Sequence, residues 1–159
     1  MDDVTVHMVG SLDPRSNWEA RGCTIAQAMD VVGSRSAILL LREAFYGTTR
    51  FDDFAERVGI SEAVASARLR ELVTLGLLEK HPYQEPGQRT RMEYALTQMG
   101  ADFFPVLVSL MNWGDEWLVP ARVAMIHHDC GAAIRTQLCC DAGHDVELGH
   151  VDLVSRSLP

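Results

Sequence analysis

Apolar residues recur with helical spacing along most of the chain from Thr24 onward. Before that point, residues 1–20 show little periodicity and contain breakers such as Gly10 and Pro14, so we expect a flexible N-terminal arm. Thr24 is placed to cap a first helix that runs to Val32. The folded part of the molecule is therefore expected to begin close to this cap.

A second helix follows, and its sequence, AILLLREAF, is apolar on nearly every side. Ser36 is its expected N-cap, and Gly47 is expected to stop it. Because a surface helix keeps one polar face, this pattern predicts a central helix that other elements cover on most sides.

The next two helical segments are joined by a short turn. Apolar residues recur at helical spacing between Phe51 and Val58, and Gly59 follows where a C-terminal cap or a tight turn is expected. Ser61 then caps the segment EAVASARLRELVTLG, which Gly76 closes. The pattern therefore predicts a helix, a tight turn and a second helix.

The two faces of this second helix differ in character. Ala65, Leu69 and Leu72 recur at spacings of four and three, so they are expected to face the core. The opposite face is small and polar with a basic end, and could lie close to another surface. Its residues are Ala63, Ser66, Ala67 and Arg70.

Two short strands and a long helix complete the pattern. The segments LLEKHPYQ and RMEYALT flank a Pro-Gly turn and predict a β-hairpin. Arg89 and Arg91 fall at its tip, where they could reach phosphates or a minor groove. Thr97 then caps a long helix expected over about 98–118, which Pro105 bends or starts.

Helix, turn, helix and hairpin in this order are the layout of a winged helix-turn-helix. A helix-turn-helix pattern alone is a weak signal because packed helical pairs are common, but the hairpin directly behind it makes the pattern specific. We predict a mainly α fold with a small β-wing. Residues 21–120 would form this domain, and residues 121–159 a small C-terminal tail rich in Cys and His.

Several stretches of the chain resemble the HxlR family of bacterial winged-helix transcriptional regulators, relatives of the MarR type. They are CTIAQAMDVVGSRSAILLLREAFYGTTRFDDF, GISEAVASARLRELVTLGLLEK, RMEYALTQMGADFFPVL and NWG, and they cover about residues 18–118. One departure is Arg35-Ser36, where the family usually has a basic residue and a Trp. The resemblance implies a homodimer, with dimerisation helices at both ends of the domain, that binds a pseudo-palindromic operator and most often represses.

The apolar C-terminal helix supports a dimer independently, because FFPVLVSLMNW offers more apolar surface than a core of this size easily covers. The alternative is a helix that is fully buried within one chain. The candidate interface residues are Phe103, Phe104, Leu107, Leu110, Met111, Trp113 and Trp117.

The candidate DNA contacts fall on the second helix of the pair and on the wing. Small side chains let a helix approach the bases, and Ala can touch a thymine methyl group. Arg70 is a candidate for a base or phosphate, whereas Arg68 could contact phosphate or pair with Asp53 or Glu71. For every arginine the alternative is a solvated surface charge. The full candidate set is Arg50, Ser61, Ala63, Ser66, Ala67, Arg68, Arg70, Arg89 and Arg91.

Charge is distributed unevenly along this acidic chain of 159 residues with a formal net charge of −8. Residues 61–100 hold as many basic as acidic side chains, whereas residues 101–159 carry most of the excess acid. The acidity therefore lies mainly away from the expected DNA-binding face, and we expect weak non-specific binding with a modest salt dependence. No uninterrupted apolar stretch of about 18 residues and no signal-peptide pattern occurs, which favours a cytoplasmic protein.

Cys23 lies just before the first helix, where the family often has a cysteine that some members use to sense oxidants or electrophiles. A helix N-terminus favours a thiolate, and Arg21 would add to this effect. The alternative is a buried structural thiol.

The tail is dense in Cys and His, the ligands that Zn²⁺ prefers. Cys130-Gly131 resembles the first knuckle of a small zinc ribbon, but Gly143 stands where the second knuckle would place a Cys. The alternative is a small β-hairpin without metal. The candidate zinc ligands are Cys130, Cys139, Cys140 and His144.

Two other classes of function compete with a DNA-binding regulator. A winged-helix module that binds only protein is consistent with the acidic chain, although Arg70 and Arg91 argue against it. An enzyme is disfavoured, because the sequence shows no phosphate-binding loop, no nucleophile and base set, and no paired carboxylates. A small-molecule effector could bind in a cavity lined by Met29, Phe45, Phe103, Met111 and Trp113, although such residues are more often core.

Overall fold

A computed structural model describes three stretches of the chain, which fold into two compact units. The larger unit is residues 24–135, and the smaller combines the N-terminal residues with the segment from Thr136 onward. The described stretches are residues 5–17, 22–119 and 122–155.

Helices dominate the larger unit, and a single hairpin follows the fourth helix. In this hairpin the strands are antiparallel, with Leu78 opposite Leu96 and Tyr83 opposite Arg91. In chain order the elements of both units are β1 (His7–Met8), α1 (Thr24–Val32), α2 (Arg35–Phe45), α3 (Phe51–Val58), α4 (Glu62–Thr74), β2 (Leu78–Tyr83), β3 (Arg91–Leu96), α5 (Gln98–Ala101), α6 (Phe104–Trp117) and β4 (Asp152–Leu153).

The core of the larger unit is built around α2, as its apolar sequence predicts. Leu40 and Leu41 of this helix are fully buried and pack in one cluster with Phe54 of α3 and with Leu69 and Leu72 of α4. Each such side chain contributes about 1.5–3 kcal/mol by leaving water. Among the described residues no single helix is long and apolar enough to cross a membrane, although α1 and α2, bent by 77°, pass that test of length and composition as a pair.

Hydroxyl side chains begin three of the helices. Ser61 and Thr97 cap α4 and α5 as predicted, since their Oγ atoms accept hydrogen bonds from the backbone N–H groups of Val64 and Gly100. The prediction that Ser36 caps α2 is wrong. Ser34 has the extended backbone of a cap and accepts a hydrogen bond from Ala37 N at 3.1 Å, so the helix begins at its following residue.

The long C-terminal helix expected over 98–118 is divided into α5 and α6. Pro105 lies in the first turn of α6, where its missing N–H costs no helical hydrogen bond. It therefore starts α6 and does not bend it. The division brings α5 against the start of β2, where Gly100 lies so close to Leu77 O that a Cβ atom would approach this oxygen to 2.1 Å.

The smaller unit joins the two ends of the described chain. Strand β1 pairs in parallel with β4, and His7 N donates a hydrogen bond to Val151 O at 2.9 Å. The sequence assigned residues 1–20 to a separate arm and residues 121–159 to a separate tail. The structure instead groups the described part of the arm with the later part of the tail. These segments are distant in the sequence, and no local pattern predicts their pairing.

Candidate nucleic-acid interface

The turn between α3 and α4 depends on Gly59. Its backbone is left-handed, with φ 70° and ψ 42°, and its N–H donates to Ala55 O and Glu56 O at the end of α3. Ile60 N donates back to Ala55 O at 3.1 Å, which closes the turn before Ser61 caps α4. Glycine adopts this conformation without strain, so the geometry of the helix pair rests on this position.

The outer face of α4 is small and open. Ala65 and Leu69 are fully buried on its inner side, as their spacing predicts. On the outer side Ala63 and Ala67 are exposed and Ser66 is half-buried. The arginine at the end of this face is held over it, because Arg70 Nη2 donates to Ser66 Oγ at 3.4 Å. The alanines and the serine of this face are small enough for the helix to approach another surface closely.

Two arginines of the wing are open to solvent. Arg89 lies in the connection between β2 and β3, and Arg91 begins β3. Within the described part of the chain neither side chain forms an ion pair. Both guanidinium groups are therefore available to a phosphate, as the sequence predicts.

Arg68 differs from these arginines because it has a partner on its own helix. Its Nη1 atom lies 2.5 Å from Glu71 Oε2. Of the two carboxylates that the sequence suggested as partners, Asp53 and Glu71, the structure pairs Arg68 with Glu71. The pair is partly exposed, and such pairs contribute little to stability.

Arg50 is engaged by the wing. Its guanidinium carbon lies 3.5 Å from the centre of the Tyr83 ring, while Nη1 lies 3.3 Å from Glu85 and Nε 4.0 Å from Glu93. Desolvation lowers the pKa of Arg50, but the hydrogen bond and negative charge of Tyr83 and the two carboxylates outweigh it and raise the pKa. No local pattern predicts these contacts, which join residues more than thirty positions apart.

Tyr94 anchors the base of the wing to the core. Its ring meets Phe54 edge-on at 5.8 Å, and its backbone N–H donates to Thr49 O at 2.9 Å. Burial raises the pKa of Tyr94, and the nearby charge of Arg70 opposes this change. The phenol therefore stays neutral near pH 7 and acts as an apolar support with a polar tip.

The cysteines are dispersed. Cys23 is half-buried directly before α1, and Arg21 lies outside the described residues. Cys130 Sγ lies 3.4 Å from His127 Nδ1, and Cys140 Sγ lies 3.6 Å from His144 Nδ1. Cys139 is exposed and forms an isolated antiparallel bridge with Asp145.

The turn that contains Cys140 favours its thiolate. Backbone N–H groups, first that of His144 and then that of Ala142, donate to the sulfur and lower the pKa of Cys140. No three His, Cys, Asp or Glu side chains among the described residues are placed to hold a metal ion together. Zinc binding by the tail therefore stays a prediction.

A cavity of about 250 Å³ lies between α2 and α6. Of the five residues suggested from the sequence, Phe45 and Met111 line it. Met29 and Trp113 are instead exposed, and Phe103 packs against the core.

The candidate interface residues of α6 separate into two faces. Leu107 belongs to the core, and Phe104 stacks on Phe45 at 5.2 Å within the chain. Leu110, Trp113 and Trp117 point outward and are exposed. This division follows the helical period.

The helix pair, the open face of α4 and the wing with its two exposed arginines together define a winged helix-turn-helix protein of the DNA-binding type. The profile of the HxlR-like helix-turn-helix family matches residues 31–122, and the chain belongs to this family.

Relatives and solved structures agree with this assignment. The HTH-type transcriptional regulator MT3179 of Mycobacterium tuberculosis is 41% identical over 122 residues, which are 75% of this chain and 76% of that protein. The crystal structure of PA1607, described as a candidate transcription factor, matches with a TM-score of 0.76 at 31% identity and covers 86% of this chain and 96% of its own. The oxidised redox regulator HypR matches at 25% identity with a TM-score of 0.53, over 59% of this chain and 96% of its own.

Proposed function

We propose that this protein is a transcriptional regulator that binds a pseudo-palindromic operator as a homodimer. The observation that carries the proposal is the open outer face of α4, followed directly by a wing whose arginines are free of ion pairs within the described chain. A helix with small side chains can enter a major groove, and the wing can hold the adjacent backbone.

The dimer is supported by apolar residues on α6 and α1. Val106, Leu110, Trp113 and Trp117 recur at spacings of four, three and four, and all are exposed. Ile25 on α1 is 73% exposed. A contiguous apolar stripe of this kind is costly in water and typical of an interface between chains.

A two-fold dimer would place two copies of α4 in successive major grooves, about 10 base pairs apart. A protein held across a promoter in this way blocks polymerase, so we propose repression. Transcription of a reporter behind the operator should then rise when the gene for this protein is deleted.

The first experiment is fluorescence anisotropy with duplexes from upstream of the protein's own gene. Saturable, sequence-selective binding that Arg91→Ala weakens is the expected result. Repeating the titration with peroxide, for the native chain and for Cys23→Ser, tests the oxidant response predicted for Cys23. Absence of selective binding at low salt would contradict the proposal and favour a winged-helix module that binds only protein.

The cavity between α2 and α6 supports a second proposal, an uncharged aromatic effector. Its walls are apolar except for the hydroxyl of Tyr46 and for Arg42, whose guanidinium Nη2 lies 2.6 Å from Glu43 Oε1 and is therefore already paired. Two flexible methionines, Met111 and Met125, let the walls adapt. A charged ligand would lose its hydration there without gaining a free partner.

The effector can be tested with 2-naphthol and 2-naphthoate, which share their rings and differ in charge. Saturable quenching of ligand fluorescence by 2-naphthol, at least tenfold tighter than by 2-naphthoate, is expected. Equal affinity for both compounds, or an unchanged 2-naphthol affinity in Met111→Trp, would exclude this cavity as the site.

A further inference from the structure

We propose that Arg50 positions the wing for DNA and is not itself a phosphate ligand. This inference rests on the proposed function for its consequence, but the contacts that carry it exist in the free protein. It differs from the prediction made from the sequence, in which Arg50 is a candidate DNA contact.

The Arg50 guanidinium already has three partners in the free protein. The Tyr83 ring covers one side of it at 3.5 Å, and Glu85 and Glu93 approach its nitrogens at 3.3 and 4.0 Å. Cation–π contact and charge pairing act together on this one group. A phosphate would have to compete with two carboxylates for this cation, whose side chain is 36% exposed.

The contacts of Arg50 join the helix pair to both strands of the wing. Arg50 is the residue before α3, and its carbonyl accepts a hydrogen bond from Phe54 N at 3.1 Å, so its backbone belongs to the helix. Tyr83 ends β2, Glu93 lies on β3, and Glu85 is the second residue of the connection between the strands. One side chain thus fixes the outer part of the wing, beyond its backbone attachment at the base.

Charge gives this arrangement a second effect. Glu85 and Glu93 lie on the element that carries Arg89 and Arg91 toward DNA, and unpaired carboxylates there would repel phosphate. Arg50 offsets this negative charge where the wing leaves the helix pair. We call Arg50, Tyr83, Glu85 and Glu93 the clamp. The clamp therefore orients the wing arginines and reduces the repulsion between the wing carboxylates and phosphate.

Salt dependence of DNA binding separates a positioning residue from a phosphate ligand. We expect Tyr83→Leu to weaken operator binding about tenfold at low salt while the slope of log affinity against log salt stays unchanged. Arg50→Ala should weaken binding at least as much, with a smaller change of slope than Arg91→Ala. Loss of one phosphate contact reduces the magnitude of that slope by about 0.9, so Arg91→Ala, which removes one contact from each chain of the dimer, should reduce it by about 1.8. Arg50→Lys should fail to restore affinity, because an ammonium cannot stack and pair as the planar guanidinium does.

A phosphate ligand would give the opposite pattern. Arg50→Ala would then lower the slope as Arg91→Ala does, Arg50→Lys would retain most of the affinity, and Tyr83→Leu would have no effect. Any one of these results overturns the proposal. Thermal unfolding of each variant identifies a general loss of folding.

Limited trypsin digestion tests the clamp without DNA. Cleavage after Arg89 and Arg91, followed by mass spectrometry, should be several times faster in Arg50→Ala and Tyr83→Leu than in the native chain. Arg57→Ala, which removes an exposed arginine of α3, should leave these rates unchanged. Unchanged rates in the two clamp variants would reject the positioning role even if DNA binding is confirmed. Faster cleavage without any operator binding would retain the clamp and reject the proposed function.

Discussion

Single hydroxyl groups cap α2, α4 and α5, and one of these residues, Ser61, has a second role. Its Oγ atom accepts a hydrogen bond from Val64 N at 3.3 Å, while its exposed position places it at the edge of the outer face of α4. The same side chain therefore serves the fold and lies where the operator is expected. Changes at this residue have to be interpreted for both roles.

We predict that Ser61→Ala lowers the free energy of unfolding by about 1 kcal/mol, because the first turn of α4 loses its capping acceptor. Ser61→Asp keeps an acceptor and should retain stability, but its negative charge should weaken operator binding. Urea unfolding and fluorescence anisotropy measure the two effects. Equal stability of the Ala and Asp variants would show that the cap contributes nothing.

Cys140 should react with iodoacetamide at a lower pH than an ordinary thiol. Its folded-state pKa is lowered by backbone N–H donors, so the thiolate persists as the pH falls toward neutrality. Alkylation of the Cys140 peptide, followed by mass spectrometry across pH, should shift to higher pH when the protein is unfolded in urea. Identical profiles in the folded and unfolded states would refute the role of the turn.

At the scale of elements, close contact between α5 and the start of β2 fixes the path from the wing to α6. Thr97 supports this contact twice, since its hydroxyl donates to Gly76 O at 2.5 Å and accepts from Gly100 N at 3.1 Å. Gly100 has no side chain to separate the two elements. The junction therefore tolerates little change in volume.

We predict that Gly100→Ala destabilises the protein by about 3 kcal/mol, because its Cβ atom would meet a backbone oxygen that cannot move aside. Gly114→Ala is the matched control within α6. Apart from its chain neighbours and the backbone of α6 itself, no atom of the described residues lies within 4 Å of a Cβ atom built there, so alanine should stabilise the helix by about 0.5–1 kcal/mol. Urea unfolding of both variants checks the difference in sign.

The sequence predicted those elements whose signals are local. Spacing of Ala65, Leu69 and Leu72 gave the inner face of α4, and the hairpin followed from its Pro-Gly turn. The break between α5 and α6 was predicted only as one of two alternatives, because Pro105 was expected to bend the long helix or to start it and apolar periodicity continues through the break. The partners of Arg50 were missed because stacking on Tyr83 depends on where the tertiary fold brings the wing.

Across the whole molecule, charge is distributed unevenly. Residues 61–100, which include α4 and the wing, hold equal numbers of basic and acidic side chains, whereas the net acidity of the chain lies mainly after residue 100. The exposed apolar stripe of α6 belongs to the second region. An acidic protein can therefore keep a DNA-binding face, with few phosphates neutralised per chain and a modest salt dependence.

We predict that Trp113→Lys weakens the dimer at least thirtyfold, because a buried tryptophan at an interface centre contributes about 2 kcal/mol or more. Size-exclusion chromatography with light scattering should show a shift toward the monomer. Met92→Lys places the same charge at an exposed apolar residue of the wing and should leave the mass unchanged. An undiminished dimer in the Trp113 variant would place the interface elsewhere.

The pairing of β1 with β4 has a consequence for the history of this chain. Both strands lie outside residues 31–122, the part that the family profile matches. Each supplies the backbone groups that the other bonds, as when Val9 N donates to Leu153 O at 3.1 Å. Each extension therefore loses these backbone hydrogen bonds when the other is absent. Among related regulators they should be inherited as one trait, present or absent as a pair.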